Sequence, residues 1–183
     1  MEIATENNVD AKVARGFGDE WSKFRQDQTN LAQGERETIF ANYFRIFPWD
    51  LLPHGGGTGA DIGCGTGRWA KIVAPRVAHL HLLDASPDAL AVARENLANA
   101  ANVSFHVGSV GAIPLPDCSL DFAFSLGVLH HVPDTLGAIR ATAEKLNGDQ
   151  ARYVAQLKGM GKTVVATGYT FDPARASLAF GCY

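Results

Sequence analysis

The chain has 183 residues, 46% of them apolar and 19% charged, with a net charge of −3. That length suits one domain with an appendage and buries roughly 70% of the unfolded surface, enough for a real core. The charge balance lacks the basic surplus of a nucleic-acid surface, and no apolar run nears the ~20 residues of a membrane span.

The opening Met1 to Asp10 is polar and acidic, unlike a signal peptide, and is expected to fray. Cys64, Cys118 and Cys182 are scattered without CxxC spacing and read as free thiols of a reducing compartment. A cytoplasmic location is the expectation, with no nucleic-acid partner, no membrane span and no metal.

Val13, Phe17, Trp21 and Phe24 recur at helical spacing, weakened by Gly16 and Gly18. Ile39, Tyr43, Ile46 and Phe47, flanked by Phe40 and Phe44, predict a second helix over about Glu35 to Phe47, ended by Pro48 and Pro53. Residues 1–53 are thus expected to form a helical N-terminal region. A glycine-rich connector, His54 to Thr58, leads into a second domain over 54–183. Trp21 and Tyr43 are candidates for facing a bound substrate; core packing is the alternative for an aromatic stripe at this spacing.

From Gly59 onward strand and helix alternate. Ala60 to Gly63 reads as a short strand and Gly67 to Val73 as the start of a helix. His79 to Leu83 reads as a strand ending at Asp84. Ser86-Pro87-Asp88 is a helix start: a capping hydroxyl, proline at the first helical position, then an acid favoured by the helix dipole. Val103 to Val107 is a third strand, Pro114 to Ser119 a turn-rich link, and Leu120 to Leu126 a fourth strand. Pro133-Asp134 opens a helix carrying Leu136, Ile139, Ala143 and Leu146, and Thr163 to Thr167 is a fifth strand. This alternation predicts an α/β domain, a mostly parallel sheet with helices on both faces. Ligands in such sheets bind at the carboxyl ends of the strands.

The motifs fall at those ends. Asp61, Gly63, Gly65 and Gly67 occupy alternate positions after the first strand. Glycine lets the backbone approach a ligand closely and adopt positive φ. A carboxylate ahead of the glycines disfavours a phosphate and favours a cationic or hydroxyl-bearing ligand, which points to S-adenosylmethionine (SAM). The spacing is not the dinucleotide fingerprint, because position 68 is Arg. A plain strand-to-helix turn is the alternative. Asp84, at the end of the next strand, is placed to take both ribose hydroxyls of an adenosine ligand. Its alternative role, capping a helix, is better served by Ser86.

Asp61-Ile-Gly-Cys-Gly-Thr-Gly67 resembles motif I of the class I SAM-dependent methyltransferases, and Asp84 matches their ribose acid. Ile113 to Asp121, followed by Phe122-Ala-Phe-Ser125, is similar to their linker and fourth strand. Leu129-His-His-Val-Pro-Asp134 resembles the LHH-x-x-D segment of the small-molecule branch. The resemblance covers about Gly59 to Leu146. It implies a seven-stranded Rossmann-like fold, SAM as methyl donor with S-adenosylhomocysteine as product, a small-molecule acceptor, and a helical cap over the site. By the same resemblance Asp61, Gly63, Cys64, Gly65 and Gly67 hold the methionine end of SAM. Asp84, Ala85 and Ser86 then flank the adenosine, Ser109 and Val110 the adenine, and Leu126 and Gly127 line the pocket under the sulfonium. The family usually has an acid where Ser109 stands. Cys64 reads as a packing residue rather than a nucleophile.

His130 and His131 are candidates for a general base near the acceptor, with loop packing and helix entry as the alternative. Gly159-Met-Gly161-Lys162-Thr163 hints at a phosphate loop, but the required first glycine falls at 156, which is Gln, and a strand follows.

After the fourth helix the family pattern is a Lys-Pro-Gly-Gly turn, a fifth strand, a helix and an antiparallel strand pair. Here Asn147 to Leu157 intervenes, and after Tyr169 one extra strand over Ser177 to Tyr183 fits, but not two and a helix. The C-terminal strands are therefore expected to be incomplete. An exposed sheet edge, covered by the tail or by a second copy, makes a homo-oligomer a candidate assembly. Three functional readings stand: a methyltransferase; a non-catalytic binder of SAM or its demethylated product; and, disfavoured by Arg68 and Asp61, an NAD-dependent oxidoreductase.

Overall fold

The computed structural model describes residues 33–146 other than 46 and 48, together with 8–10, 12, 16, 152–153, 164–165 and 181–182. Val13, Phe17, Trp21 and Phe24 lie outside the described residues, so the first helical stripe and the substrate-side candidate Trp21 do too.

Helix α1 spans Gln33–Tyr43, ending four residues earlier than the stripe predicts. In and just after it, the flanking Phe40 and Phe44 are buried together with Phe47 of the stripe, while Ile39 and Tyr43 are half-buried. The aromatic rings decide this. Phe40 stacks on Phe44 at 4.3 Å between centroids, and Phe44 and Phe47 meet Phe124 and Phe122 edge-on at 5.2 and 5.3 Å. Such edge-to-face pairs add about 0.5–1.5 kcal/mol beyond burial.

Strand β1 (Thr58–Ile62) is followed by a short helix α2 (Ala70–Val73) and a 3-10 turn, Ala74–Arg76. The predicted helix start at Gly67 is instead a run of turns, because the glycines hold left-handed φ there. Strand β2 (His79–Asp84) leads into α3 (Pro87–Asn96), with Ser86 as its N-cap: Ser86 Oγ accepts from Ala89 N–H at 3.3 Å. Strand β3 (Val103–Val107) has the predicted bounds. Strand β4 is shorter than predicted, Phe122–Phe124; Leu120 instead bridges to Leu146. Asp134 caps α4 (Thr135–Glu144), its Oδ1 accepting from Gly137 N–H at 2.8 Å.

The strands form a parallel sheet in the order β3-β2-β1-β4, so the strand order reverses between β1 and β4. A fifth parallel strand, β5 (Arg152–Tyr153), pairs with β4. The fifth strand expected at Thr163 to Thr167 is therefore a correction. Val164–Val165 (β6) pairs antiparallel with Gly181–Cys182 (β7) in a separate two-stranded sheet. The reason is topological: α4 returns the chain to the free edge of β4, and the next extended segment takes that edge.

Two apolar layers flank the sheet. One joins Phe40, Phe44 and Phe47 to α2, α3 and the side chains Leu80, Leu82, Phe122 and Phe124. The other packs Ala60, Ile62, Leu83 and Ala123 against Leu129, Ala138 and the linker residues Ile113 and Leu115. This is an α/β fold with both faces covered, and it leaves the carboxyl ends of the strands as the functional edge.

Candidate functional site

Asp61 lies in β1 and is 2% exposed, because Leu82 and Phe124 of the neighbouring strands sit beside it in register. Among the described residues its Oδ2 has no hydrogen-bond partner. Burial, and then the nearby Asp84 charge, push its carboxyl well above the usual carboxylate range. An orphaned buried carboxylate oxygen costs free energy unless a donor reaches it.

The loop after β1 hooks onto β2: Gly63 N–H and Cys64 N–H both donate to Leu83 O, at 2.7 and 3.0 Å. Gly63, Gly65 and Gly67 have φ of 77°, 53° and 74°, the left-handed region that side chains avoid. Space also demands glycine at position 63. A Cβ there would stand 2.5 Å from Val128, which reaches over from the segment after β4. Cys64 is buried, and burial followed by the Asp61 and Asp84 charges raises its thiol pKa, so it is a packing group rather than a thiolate nucleophile.

Asp84 stands between the first and second turns of the site. Its Oδ2 accepts from Gly65 N–H and its Oδ1 from Ser86 N–H, both at 2.8 Å. Burial raises its pKa, while those amide bonds pull the other way. Its main-chain carbonyl accepts from Gly108 N–H at 3.0 Å, bringing the end of β3 into the same cluster. Ser109 and Val110 are buried beside it, in a tight turn where Ala112 N–H donates to Ser109 O. Ala85 is half-buried and Ser86 buried, the latter's hydroxyl committed to capping α3.

At the end of β4, Ser125 Oγ donates to Ile62 O at 2.7 Å and fastens the segment to β1. Leu126 is half-buried, and Gly127 is exposed with φ of 74° and open space around it. Leu129–His131 forms a 3-10 turn that buries Leu129 fully and leaves His131 exposed. The turn places the His130 backbone on the same segment; its side chain lies outside the described residues. Tyr43 packs edge-on against Trp69 at 5.4 Å, on the helical layer beside the loop.

The structure thus brings Asp61, Gly63 to Gly67, Asp84, Ala85, Ser86, Ser109 and Val110 together at one edge. Leu126, Gly127 and the histidine turn form a wall beside them. Sequence reasoning placed Ser125 only in the fourth-strand motif and did not single out Val128; these two residues seat that wall. A separate cavity of about 500 Å³, lined by Trp49, Leu52, Pro53, Gly56 and Arg76, lies at the opposite, amino ends of β1 and β2. Among the described residues no cluster of metal-ligating side chains is present, and no helix is long and apolar enough to cross a membrane.

An orphaned carboxylate oxygen under a loop of left-handed glycines suits a cationic ligand such as an amino-acid ammonium. The Asp84 carboxylate, half-buried at the next strand end, suits a hydroxyl-bearing one.

Residues 60–149 match the family described as "Methyltransferase domain". The chain is 31% identical over 99 residues to the ubiquinone biosynthesis O-methyltransferase of Xanthomonas campestris pv. campestris (strain B100), a match covering 53% of this chain and 41% of that one. It is 34% identical over 79 residues to the malonyl-[acyl-carrier protein] O-methyltransferase of Serratia marcescens, covering 43% and 30%. The chain therefore spans less than half the length of these curated relatives. Its fold resembles that of phosphoethanolamine N-methyltransferase 1 of Haemonchus contortus, solved with phosphoethanolamine and S-adenosylhomocysteine. The TM-score is 0.62 at 20% identity, covering 86% of this chain and 35% of that one.

Proposed function

We propose, from the premise that residues 60–149 form a class I methyltransferase domain, that the chain transfers a methyl group from SAM to a small-molecule acceptor. One observation carries the reading: the buried Asp61 Oδ2 lacks a partner among the described residues, beneath three left-handed glycines and next to a second carboxylate, Asp84. Asp61 would take the ammonium of the donor's methionyl end, the loop from Gly63 to Gly67 would admit its chain, and Asp84 would take the ribose hydroxyls. Bound SAM supplies a methyl group already activated on a sulfonium.

The chain's own work is then positioning. The wall from Leu126 to His131 places the acceptor opposite the donor, and such alignment contributes up to ~7–11 kcal/mol. The two curated relatives are O-methyltransferases, which supports an oxygen acceptor here. A hydroxyl acceptor benefits from a base, and His130 or His131 would receive its proton.

Titration calorimetry with SAM and S-adenosylhomocysteine tests the donor. Incubation with methyl-labelled SAM and a metabolite extract tests transfer. Heat with both ligands and label in a small product support the enzyme. Heat without transferred label would make the chain a binder of SAM or its product, and absence of heat would end the reading. In His130→Ala and His131→Ala, loss of transfer with donor affinity retained supports a base; full activity in both removes that role.

A further inference from the structure

We propose that Asn8 is a positioning residue that pins the segment carrying His130 and His131 over the glycine loop; this rests on reading that segment as the acceptor wall of a methyltransferase. The segment begins where β4 ends. Ser125 fastens it to Ile62, and Val128 fills the space above Gly63 that any Cβ would need. Within the segment, His131 N–H donates to Val128 O, and Thr135 Oγ1 donates to Leu129 O, both at 2.8 Å. Those bonds shape the loop, and Leu129, packed with Ala138 in the core, anchors its middle; at its far end the backbone of Asp134 is held from a remote segment.

Asn8 supplies that constraint from the other end of the chain. Its Nδ2 donates to Asp134 O at 2.6 Å, and its Oδ1 accepts from Asp134 N–H at 2.7 Å, across 126 residues. A side-chain amide here imitates a paired main-chain unit, and both of its polar atoms are used. Aspartate lacks the donor and a hydroxyl lacks the reach. Asp134 is also the N-cap of α4, so the pin acts where the loop joins that helix. Asn8 holds φ of 55°, a left-handed backbone that asparagine tolerates better than most residues. A non-glycine residue in that conformation, bonded twice to the wall of a site, is built to hold it.

The test uses the full chain with Asn8→Ala and Asn8→Gly. Both remove the amide; glycine also relieves the left-handed backbone, so it separates lost bonds from strain and guards against a variant that folds poorly. Three readouts apply: calorimetric titration with SAM, amide exchange over residues 125–135, and imidazole NMR signals of the six histidines. Expected in both variants are exchange about tenfold faster in that segment, shifted signals for His130 and His131, unmoved signals for His79, His81 and His106, and SAM affinity within about twofold of the parent.

Unchanged exchange and unchanged His130 and His131 signals would overturn the pin. Exchange rising throughout the domain together with lost SAM affinity would also overturn it, showing Asn8 to be a general support. A parent chain that binds no SAM would sink the methyltransferase reading while leaving the loop measurement intact, so the two failures are distinguishable.

Discussion

The Asp84 carboxylate accepts a hydrogen bond from the Gly65 amide, 2.8 Å away and nineteen residues earlier. With its other oxygen on Ser86 N–H, it couples the glycine loop to the start of α3. A residue expected to meet a ligand therefore also shapes the loop that would receive it.

Replacing Asp84 with Ala removes both the acceptor for two main-chain amides and the proposed ribose contact. Hydrogen bonds to a charged group contribute roughly 1.5–3 kcal/mol each. SAM affinity is expected to fall ~10- to 100-fold, as read by calorimetry. Unchanged affinity would take Asp84 out of the site.

Gly63→Ala meets two obstacles at once. The left-handed backbone alone costs about 1–2 kcal/mol, and the new Cβ would stand 2.5 Å from Val128. Denaturant titration should show a loss larger than the backbone share. Adding Val128→Ala should restore the part due to contact and leave the rest. A double variant no more stable than the single one would show that Val128 does not set the spacing.

Asp61 gives the free protein an unusual pH response. Its folded pKa is raised by burial and then by Asp84, so the folded state holds a proton that the unfolded state releases near 3.8. Stability from this group is present below that value and is lost as pH rises through the folded pKa. A cationic ligand reverses the balance by favouring the ionised form. Donor binding should release protons at pH values below the raised pKa, visible as calorimetric heats that change with buffer ionisation enthalpy. Asp61→Asn should abolish both the proton release and the binding. Heats independent of buffer across that range would contradict the assignment.

The histidines of β2 and β3 have the opposite sign. His81 Nδ1 lies 3.0 Å from His106 Nε2, and burial, then His79 and His106, lower the His81 pKa to about 4. Burial, then His79 and Arg94, also lower the pKa of His106. These groups favour the folded state above about 6.5, and that contribution drains away as pH falls toward 4. His81→Gln should flatten the acid limb of a stability-against-pH curve. A limb unchanged in slope would place the acid sensitivity elsewhere.

The sequence alone determined the features that depend on local chemistry. Alternating Gly63, Gly65 and Gly67 require left-handed backbone wherever they occur, and Ser86-Pro87-Asp88 starts a helix with its own atoms. The alternation of strand and helix placed Asp61 and Asp84 at neighbouring carboxyl ends. Tertiary structure decided what depends on distant partners. It buried Phe40 and Phe44 more deeply than Ile39 and Tyr43, because Phe44 meets Phe124 of β4 and Phe40 stacks on Phe44. It gave the edge of β4 to Arg152–Tyr153 rather than to Val164 and its neighbours, because α4 delivers the chain to that edge first. It also seated Val128 on Gly63 and joined Asn8 to Asp134. Periodicity and turn chemistry act over a few residues and can be read along the chain, whereas a contact between remote segments exists only once the sheet has set their distance.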